Sequence, residues 1–443
     1  MRLNKRGEYE YIGLDTYYNG PVSELLRVSA FGGMAPDEES VAADLYASQD
    51  GVSYDPISGY SVGSFAGWTE EGDLRAAGSS GGLTTWLLGE LLRLGHVDGI
   101  VHMRTGGPEG QLFTYQISRT LEDIRAGAKS RYFPGEMSDV LREIHQVPGH
   151  YAVVGIPSFI YEIRLLQRTD PLFRDRIRYL VGLICGHQKT ANYADYLAWR
   201  AGIPPGGLRS IDFRKKVPGE PADRYSTEFI AKIDGVDRTC ALPQTKIFGT
   251  DWGLGFFKSN FSDLTQDAFN ETADIVLGDA WLPEYTADGR GTNVVLVRDR
   301  FLLDLLMRGA ASGCIYLERI GVDRVVRSPA SLVRQSILEA PYRLALLAKR
   351  GEPTPVLRRS PAERLPAPRK AVQRMRVLTS RASHSAYLAA LQSGSLDAFD
   401  RVMRPLAVRY RLAQRADHLQ RALARGPRHV ASAVLHRVNR RPW

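Results

Sequence analysis

Two kinds of residue in this sequence are spaced to do chemistry: a small-residue run that opens onto an apolar helix, and polar side chains at the ends of apolar strands. Gly78-Ser79-Ser80-Gly81-Gly82-Leu83-Thr84-Thr85 runs straight into Trp86-Leu87-Leu88-Gly89-Glu90-Leu91-Leu92. Adjacent glycines let a backbone come close to a ligand, serines cap a first turn, and free amides at a helix start favour a phosphate or an electron-rich ring edge. Alone, such a run also reads as an ordinary capped helix. Further on, Gly155-Ile156-Pro157-Ser158 and Cys185-Gly186-His187 each follow an apolar strand pattern, and ligands of open α/β sheets sit outside the carboxyl ends of strands. Cys185 with His187 is the nearest approach to a nucleophile or proton-transfer pair. No acid lies at a spacing that would orient the histidine, and a cysteine closing an apolar strand reads first as an inert small hydrophobe.

Cationic groups fall in two loops. Ala128-Lys129-Ser130-Arg131-Tyr132 and Ile211-Asp212-Phe213-Arg214-Lys215-Lys216 can each reach a phosphate or carboxylate, with a solvated surface cluster as the plain alternative. Asp267, Glu271, Asp274 and Asp279 form a carboxylate-rich stretch without a nearby histidine. They read as caps of turns and helices, so no metal site is expected. The three cysteines, Cys185, Cys240 and Cys314, include no C-x-x-C pair. That argues against both a disulfide framework and a cysteine zinc site and points to reduced thiols.

The elements that must position these groups alternate helix and strand. After the helix to about Leu94, residues 97–103 read as a buried strand. Val140–His145 is helical, Tyr151–Ile156 a strand, Ser158–Gln167 a helix and Ile177–Ile184 a strand. This rhythm predicts an α/β fold: a mixed sheet with flanking helices and an additional C-terminal basic helical segment. Asp234-Gly235 marks a hairpin between residues 228–233 and 237–242. Strands near 273–281 and 291–297 meet glycine-rich polar corners, Phe301–Met307 is helical, residues 314–318 are a strand, and one helix runs from Ser331 to Lys349.

With 443 residues, 44% of them hydrophobic, the chain can bury a substantial core. Residues 1–60 read as an irregular N-terminal segment of loops and short strands, including one from Tyr9 to Leu14. Residues 61–350 form the α/β domain, 351–370 a proline-rich linker with Pro353, Pro355, Pro361, Pro366 and Pro368, and 371–443 a basic helical tail. The net charge of +9 is unevenly spread: residues 340–443 hold 22 Lys/Arg against 5 Asp/Glu, which leaves the body acidic. The tail helices are expected to pack on the body or on a partner protein, or else to dock on an anionic membrane surface. Nothing points to nucleic acid. No run approaches the roughly 18 apolar residues of a membrane span and no signal segment is evident, so a cytoplasmic, at most membrane-peripheral, location is expected.

The ordered set Gly78–Gly82, Val97-Asp98-Gly99, Lys129–Tyr132, Val154-Gly155-Ile156-Pro157, Gly182–His187, Asp212–Lys215 and Ala273–Trp281 resembles the beta subunit of the coenzyme F420 hydrogenase/dehydrogenase family across roughly residues 60–320. The resemblance implies an FAD-binding oxidoreductase that takes a hydride from a deazaflavin or nicotinamide carrier and gives it to a small or sugar-linked substrate, in a setting such as polysaccharide biosynthesis. It implies a flavin site made of Ser79, Ser80, Gly81, Gly82 and Thr84, of Lys129, Ser130, Arg131 and Tyr132, and of strand ends carrying Gly155, Pro157, Arg214, Lys215, Gly278, Asp279 and Asn293. Cys185 and His187 would be the nearest polar or proton-transferring groups to the ring. The family's cluster cysteines correspond here to Ser158, Cys185, Ser262 and Thr265, so an iron–sulfur cluster is not expected. The alternative is a degenerate, non-catalytic binding or scaffold protein of a polysaccharide pathway.

Overall fold

The structure is a computed structural model that describes residues 1–13, 18–107, 111–233, 235–352, 354–356, 358 and 364–425. Strands that place the site are β1 (Gly63–Thr69), β2 (Gly99–Thr105), β3 (Phe113–Ser118), β4 (Tyr151–Gly155), β5 (Ile177–Leu183), β6 (Leu208–Lys215), β7 (Ser226–Ile233), β8 (Val236–Pro243), β9 (Ile275–Asp279), β10 (Asn293–Val297) and β11 (Ile315–Arg319). Eight of them form one mixed sheet in the order β11-β1-β10-β9-β5-β4-β2-β3. The middle run β9-β5-β4-β2 is parallel, and antiparallel strands close it on both sides. Every residue of β4 and of β10 is buried, the continuous apolar run expected of strands covered on both faces.

Strand direction decides where the site lies. The carboxyl ends of β4, β5 and β9 share one edge, and because Asp279 pairs with Asn293 and Asn293 with Gly67, the start of β10 and the end of β1 join them. The chain leaves β1 there and enters the Gly78–Gly82 loop. Helix α1 (Leu83–Arg93) buries Leu83, Trp86, Leu87, Leu88 and Leu91 against the sheet, at the 3–4 residue spacing of one face. Helix α2 (Pro157–Thr169) follows β4, α3 (Asn192–Arg200) follows β5, and α4 (Arg300–Ala311) joins β10 to β11. The hairpin β7–β8, with β6, forms a separate three-stranded sheet.

The described part of the basic tail is a helical hairpin, α5 (Ala367–Ser393) and α6 (Leu396–Arg425). Gly394, at φ 66°, ends α5 in the left-handed conformation that favours glycine. Tyr387, Phe399, Met403 and Tyr410 enter one cluster with Tyr196, Phe256 and Phe257 of the body, and Phe399 lies 4.6 Å from Tyr196 ring to ring. The two helices therefore pack on the α/β domain and share its core. Residues 426–443 of the expected tail, and Pro353 and Pro361 of the expected linker, lie outside the described residues. No helix among the described residues is long and apolar enough to cross a membrane.

Several expectations need correction. Residues 1–60 contain two helices, Val22–Val28 and Glu38–Tyr46, and the early strand is only Tyr9–Glu10, with Leu14 outside the described residues. The single helix expected over 331–349 is broken into Ala330–Leu332, a π-turn segment Val333–Leu338, and Ala340–Ala348. Pro341 cannot donate the amide that a continuous helix requires, so the last piece restarts with that proline in its first turn.

Candidate functional site

Fourteen of the residues named from sequence come together. Ser79, Ser80, Gly82 and Thr84, the four residues Lys129–Tyr132, Cys185 and His187, and Arg214, Gly278, Asp279 and Asn293 all line one cavity of about 1000 Å³ above the shared strand edge. That volume is at the upper end of the range for small-molecule sites.

The Gly-rich loop is fixed from three sides. Ser80 Oγ donates to Thr292 O over 2.7 Å, Leu83 N–H donates to Asn293 Oδ1 over 3.2 Å, and Ser130 N–H donates to Ser79 Oγ over 2.8 Å. Lys216 Nζ donates to Ser80 O over 2.8 Å and to the carbonyls of Arg75 and Arg290, each over 2.6 Å. Three segments distant in sequence, around Ser130, Lys216 and Thr292–Asn293, thus hold the loop at the cavity. Gly82 opens α1 at φ 79° with no side-chain cap.

Four of the expected site residues do not line the cavity. Gly81 faces the sheet: a Cβ there would meet Gly67 O at 2.6 Å and Asn293 N at 2.9 Å, so its smallness serves loop–strand contact rather than ligand approach. Gly155 O accepts from Asn270 Nδ2, and Pro157 is buried at the start of α2. Lys215 pairs with Glu228 over 3.2 Å. Arg214 is buried and Lys215 exposed at the end of β6, where the pairing with β7 slips between Asp212 and Lys215.

The cavity walls carry buried charge. Arg214 Nη1 donates to Asp279 Oδ2 over 2.6 Å, and its guanidinium stacks 4.8 Å from Tyr225 and 5.1 Å from Trp281. Lys129 pairs with Asp212 over 2.9 Å, and Arg131 lies 4.8 Å over Phe113. The Nε atoms of Arg131 and Arg214 are buried without partners. His102 Nε2 bonds Ser118 Oγ over 2.8 Å, and burial together with the nearby Arg104 and Arg131 pushes its pKa down to about 4.

Near the ends of β5 the chemistry is muted. Burial pushes the Cys185 thiol up to about 11, and its Sγ lies 3.7 Å from His187 O. His187 is held well below its ordinary pKa, first by burial and then by Lys189, Lys258, Arg376 and Arg343. At neutral pH the pair is a thiol and a neutral imidazole, not a thiolate–imidazolium couple. The His187 ring lies 4.8 Å from Trp252, which also meets Tyr132 edge-on at 4.7 Å and carries Lys189 Nζ 4.8 Å from its ring. Trp252, Lys189 and the arginines of the C-terminal helices were not assigned a role from sequence. The arginines looked like tail charge.

The carboxylates behave as caps and ion-pair partners. Asp267 accepts from the amides of Phe269 and Glu271, Asp274 pairs with Arg164, and Glu271 pairs with Arg358. Among the described residues no group of three or more His, Cys, Asp or Glu is placed to hold a metal ion.

Residues 64–142 match the N-terminal part, and residues 149–322 the C-terminal part, of the coenzyme F420 hydrogenase/dehydrogenase beta subunit. Among solved structures, a chain of the F420-reducing NiFe hydrogenase complex from Methanosarcina barkeri is similar at 15% identity and a TM-score of 0.50, over 68% of this chain and 98% of that one. At that identity the likeness shows the fold. No curated protein matches the sequence.

Proposed function

We propose that this chain, which belongs to the coenzyme F420 hydrogenase/dehydrogenase beta-subunit family, is a flavin-dependent oxidoreductase that binds FAD in the cavity above the strand edge. The observation that supports this most is the convergence on one cavity of a Gly-rich loop at a helix start with two guanidinium groups whose buried Nε atoms lack partners. A donor-rich loop beside Arg131 and Arg214 suits a diphosphate, and the Tyr132–Trp252 wall suits an aromatic ring. Ser79, Ser80 and Thr84 with Arg131 would hold the phosphates, and Arg214, Asp279 and Asn293 would orient the ligand from the strand edge. When bound, FAD would supply two-electron hydride chemistry between a deazaflavin or nicotinamide donor and a small or sugar-linked acceptor. The residues around it exclude water and fix orientation. His187, kept neutral, offers one N–H and one lone pair to a ligand, while Cys185 keeps its proton.

An iron–sulfur cluster does not fit the residues present. Of the four positions expected to ligate it, three are hydroxyls and only Cys185 is a thiol. Hydroxyl oxygens are hard, weakly acidic ligands for cluster iron. Ser262 Oγ instead accepts the Gln188 amide over 3.0 Å. We place the acceptor in polysaccharide biosynthesis and the protein in the cytoplasm.

The test is anaerobic mixing of FAD-loaded protein with a reduced deazaflavin or with NADH or NADPH, following flavin absorbance, with iron assayed after reconstitution. Bleaching by at least one donor, with substoichiometric iron, is expected. A flavin that no donor reduces would favour a binding or scaffold role, and stoichiometric iron would restore the cluster.

A further inference from the structure

The cavity has a second end, built largely by residues beyond position 322, where the family match stops. Arg334, Arg369, Arg376 and Arg421 line it. Two carboxylates form ion pairs with these four cations: Arg369 Nε bonds Glu339 Oε1 over 2.7 Å and its Nη1 lies 3.3 Å from Asp417, while Arg421 Nη2 bonds Asp417 over 2.7 Å; Asp251, exposed on the cavity wall, acts on Arg376 without an ion pair. Arg334 and Arg376 form no ion pair among the described residues. Arg376 is buried, its Nη2 only 3.4 Å from Trp252 O and its Nε without a partner. On the adjoining wall, His187 Nε2 is also buried and unpartnered.

A guanidinium cannot shed its proton at physiological pH, so burying one without a counter-charge is costly. The geometry points to an anion as the missing counter-charge: we propose that this second end binds the phosphate group of the acceptor, making the substrate a phosphate-bearing small molecule. Arginine forks match phosphate oxygens bidentately, and a phosphate or diphosphate offers enough acceptor atoms to meet Arg334, Arg376 and His187 together. Only the word acceptor rests on the flavin reading; the anion site stands on its own residues. The tail's basic charge then has a local purpose, since α5 and α6 carry three of the four arginines.

The probe is inorganic pyrophosphate, titrated calorimetrically into the full chain at low salt, with and without saturating FAD. Saturable binding is expected in both conditions. Arg334→Gln and Arg376→Gln should each weaken it about tenfold or more, and Arg409→Gln, on the exposed face of α6, should leave it unchanged. Thermal melts check folding; should Arg376→Gln not fold, Arg334→Gln decides alone. Absence of binding, wild-type affinity in a folded Arg334→Gln protein, or mutual exclusion of FAD and pyrophosphate would overturn the proposal, the last by assigning the site to the flavin's own diphosphate. Pyrophosphate binding in a chain that takes up no FAD would keep the anion site and remove the flavin reading.

Discussion

Arg214 Nη1 sits 2.6 Å from Asp279 Oδ2, and this contact ties the three-stranded sheet to the carboxyl end of β9 at the cavity wall. The Arg214 side chain is 4% exposed and that of Asp279 23% exposed, so each depends on the other for neutralisation. Removing one member of such a pair strands a buried charge. Asp279→Asn should lower stability by about 3 kcal/mol and weaken FAD binding. The double variant Arg214→Met, Asp279→Leu should recover much of the stability and none of the binding. Urea unfolding and FAD titration of the three proteins separate the two effects; equal stability of Asp279→Asn and wild type would show that the pair is dispensable.

His102 makes stability depend on pH. Its folded pKa of about 4 lies below the ordinary 6.5, so the unfolded chain binds the proton more readily. The contribution is complete above pH 6.5 and is lost as pH falls towards 4, at a cost of about 3 kcal/mol in full. His102→Gln should flatten that part of the stability–pH curve. A curve of unchanged slope in the variant would place the acid sensitivity elsewhere.

Gly81 is a packing position. An added side chain meets backbone atoms of both β1 and β10, which cannot rotate away. Gly81→Val should therefore lower the melting temperature sharply or prevent folding, not remove flavin selectively. A Gly81→Val protein with wild-type stability would show that the loop can move off the sheet.

How much of this was legible in the sequence depended on whether a signal was local. The strands β4, β5, β9 and β10 each carry a mostly apolar run, with polar residues only at or next to an end (Arg178, Asp279, Asn293), and could be read directly. Strand β1, second from the edge of the sheet between β11 and β10, was missed because Gly63 and Gly67 interrupt its apolar pattern, although Gly67 has room only for hydrogen where Tyr316 O approaches. The Gly-rich loop and Lys129–Tyr132 were recognisable as candidate groups, and they line one cavity; that Lys216 rather than Lys215 would secure the loop was not, because the register slips between Asp212 and Lys215 and Lys216 lies beyond the end of β6. The second end of the cavity was invisible, because its arginines lie on three separate helical segments and converge only in the folded chain.

Those same helices are structural. A chain ending at Gly351 would expose Tyr196, Phe256 and Phe257 by removing Tyr387, Phe399, Met403 and Tyr410. Losing several large buried side chains, each worth about 1.5–3 kcal/mol, exceeds most of a domain's stability. The truncated protein should aggregate or bind a hydrophobic dye, as judged by size-exclusion chromatography and dye fluorescence. A soluble, cooperatively melting truncation would mean that the tail is an independent unit.

The central claim is that FAD occupies the cavity at the strand edge. Its most direct measurement is flavin content: purify the full chain, incubate it with FAD, desalt, release the ligand by heat and quantify it against protein. The account predicts stoichiometric FAD in the wild type and strongly reduced FAD in a folded Arg131→Gln protein. A folded wild-type chain that retains no flavin after reconstitution would contradict it.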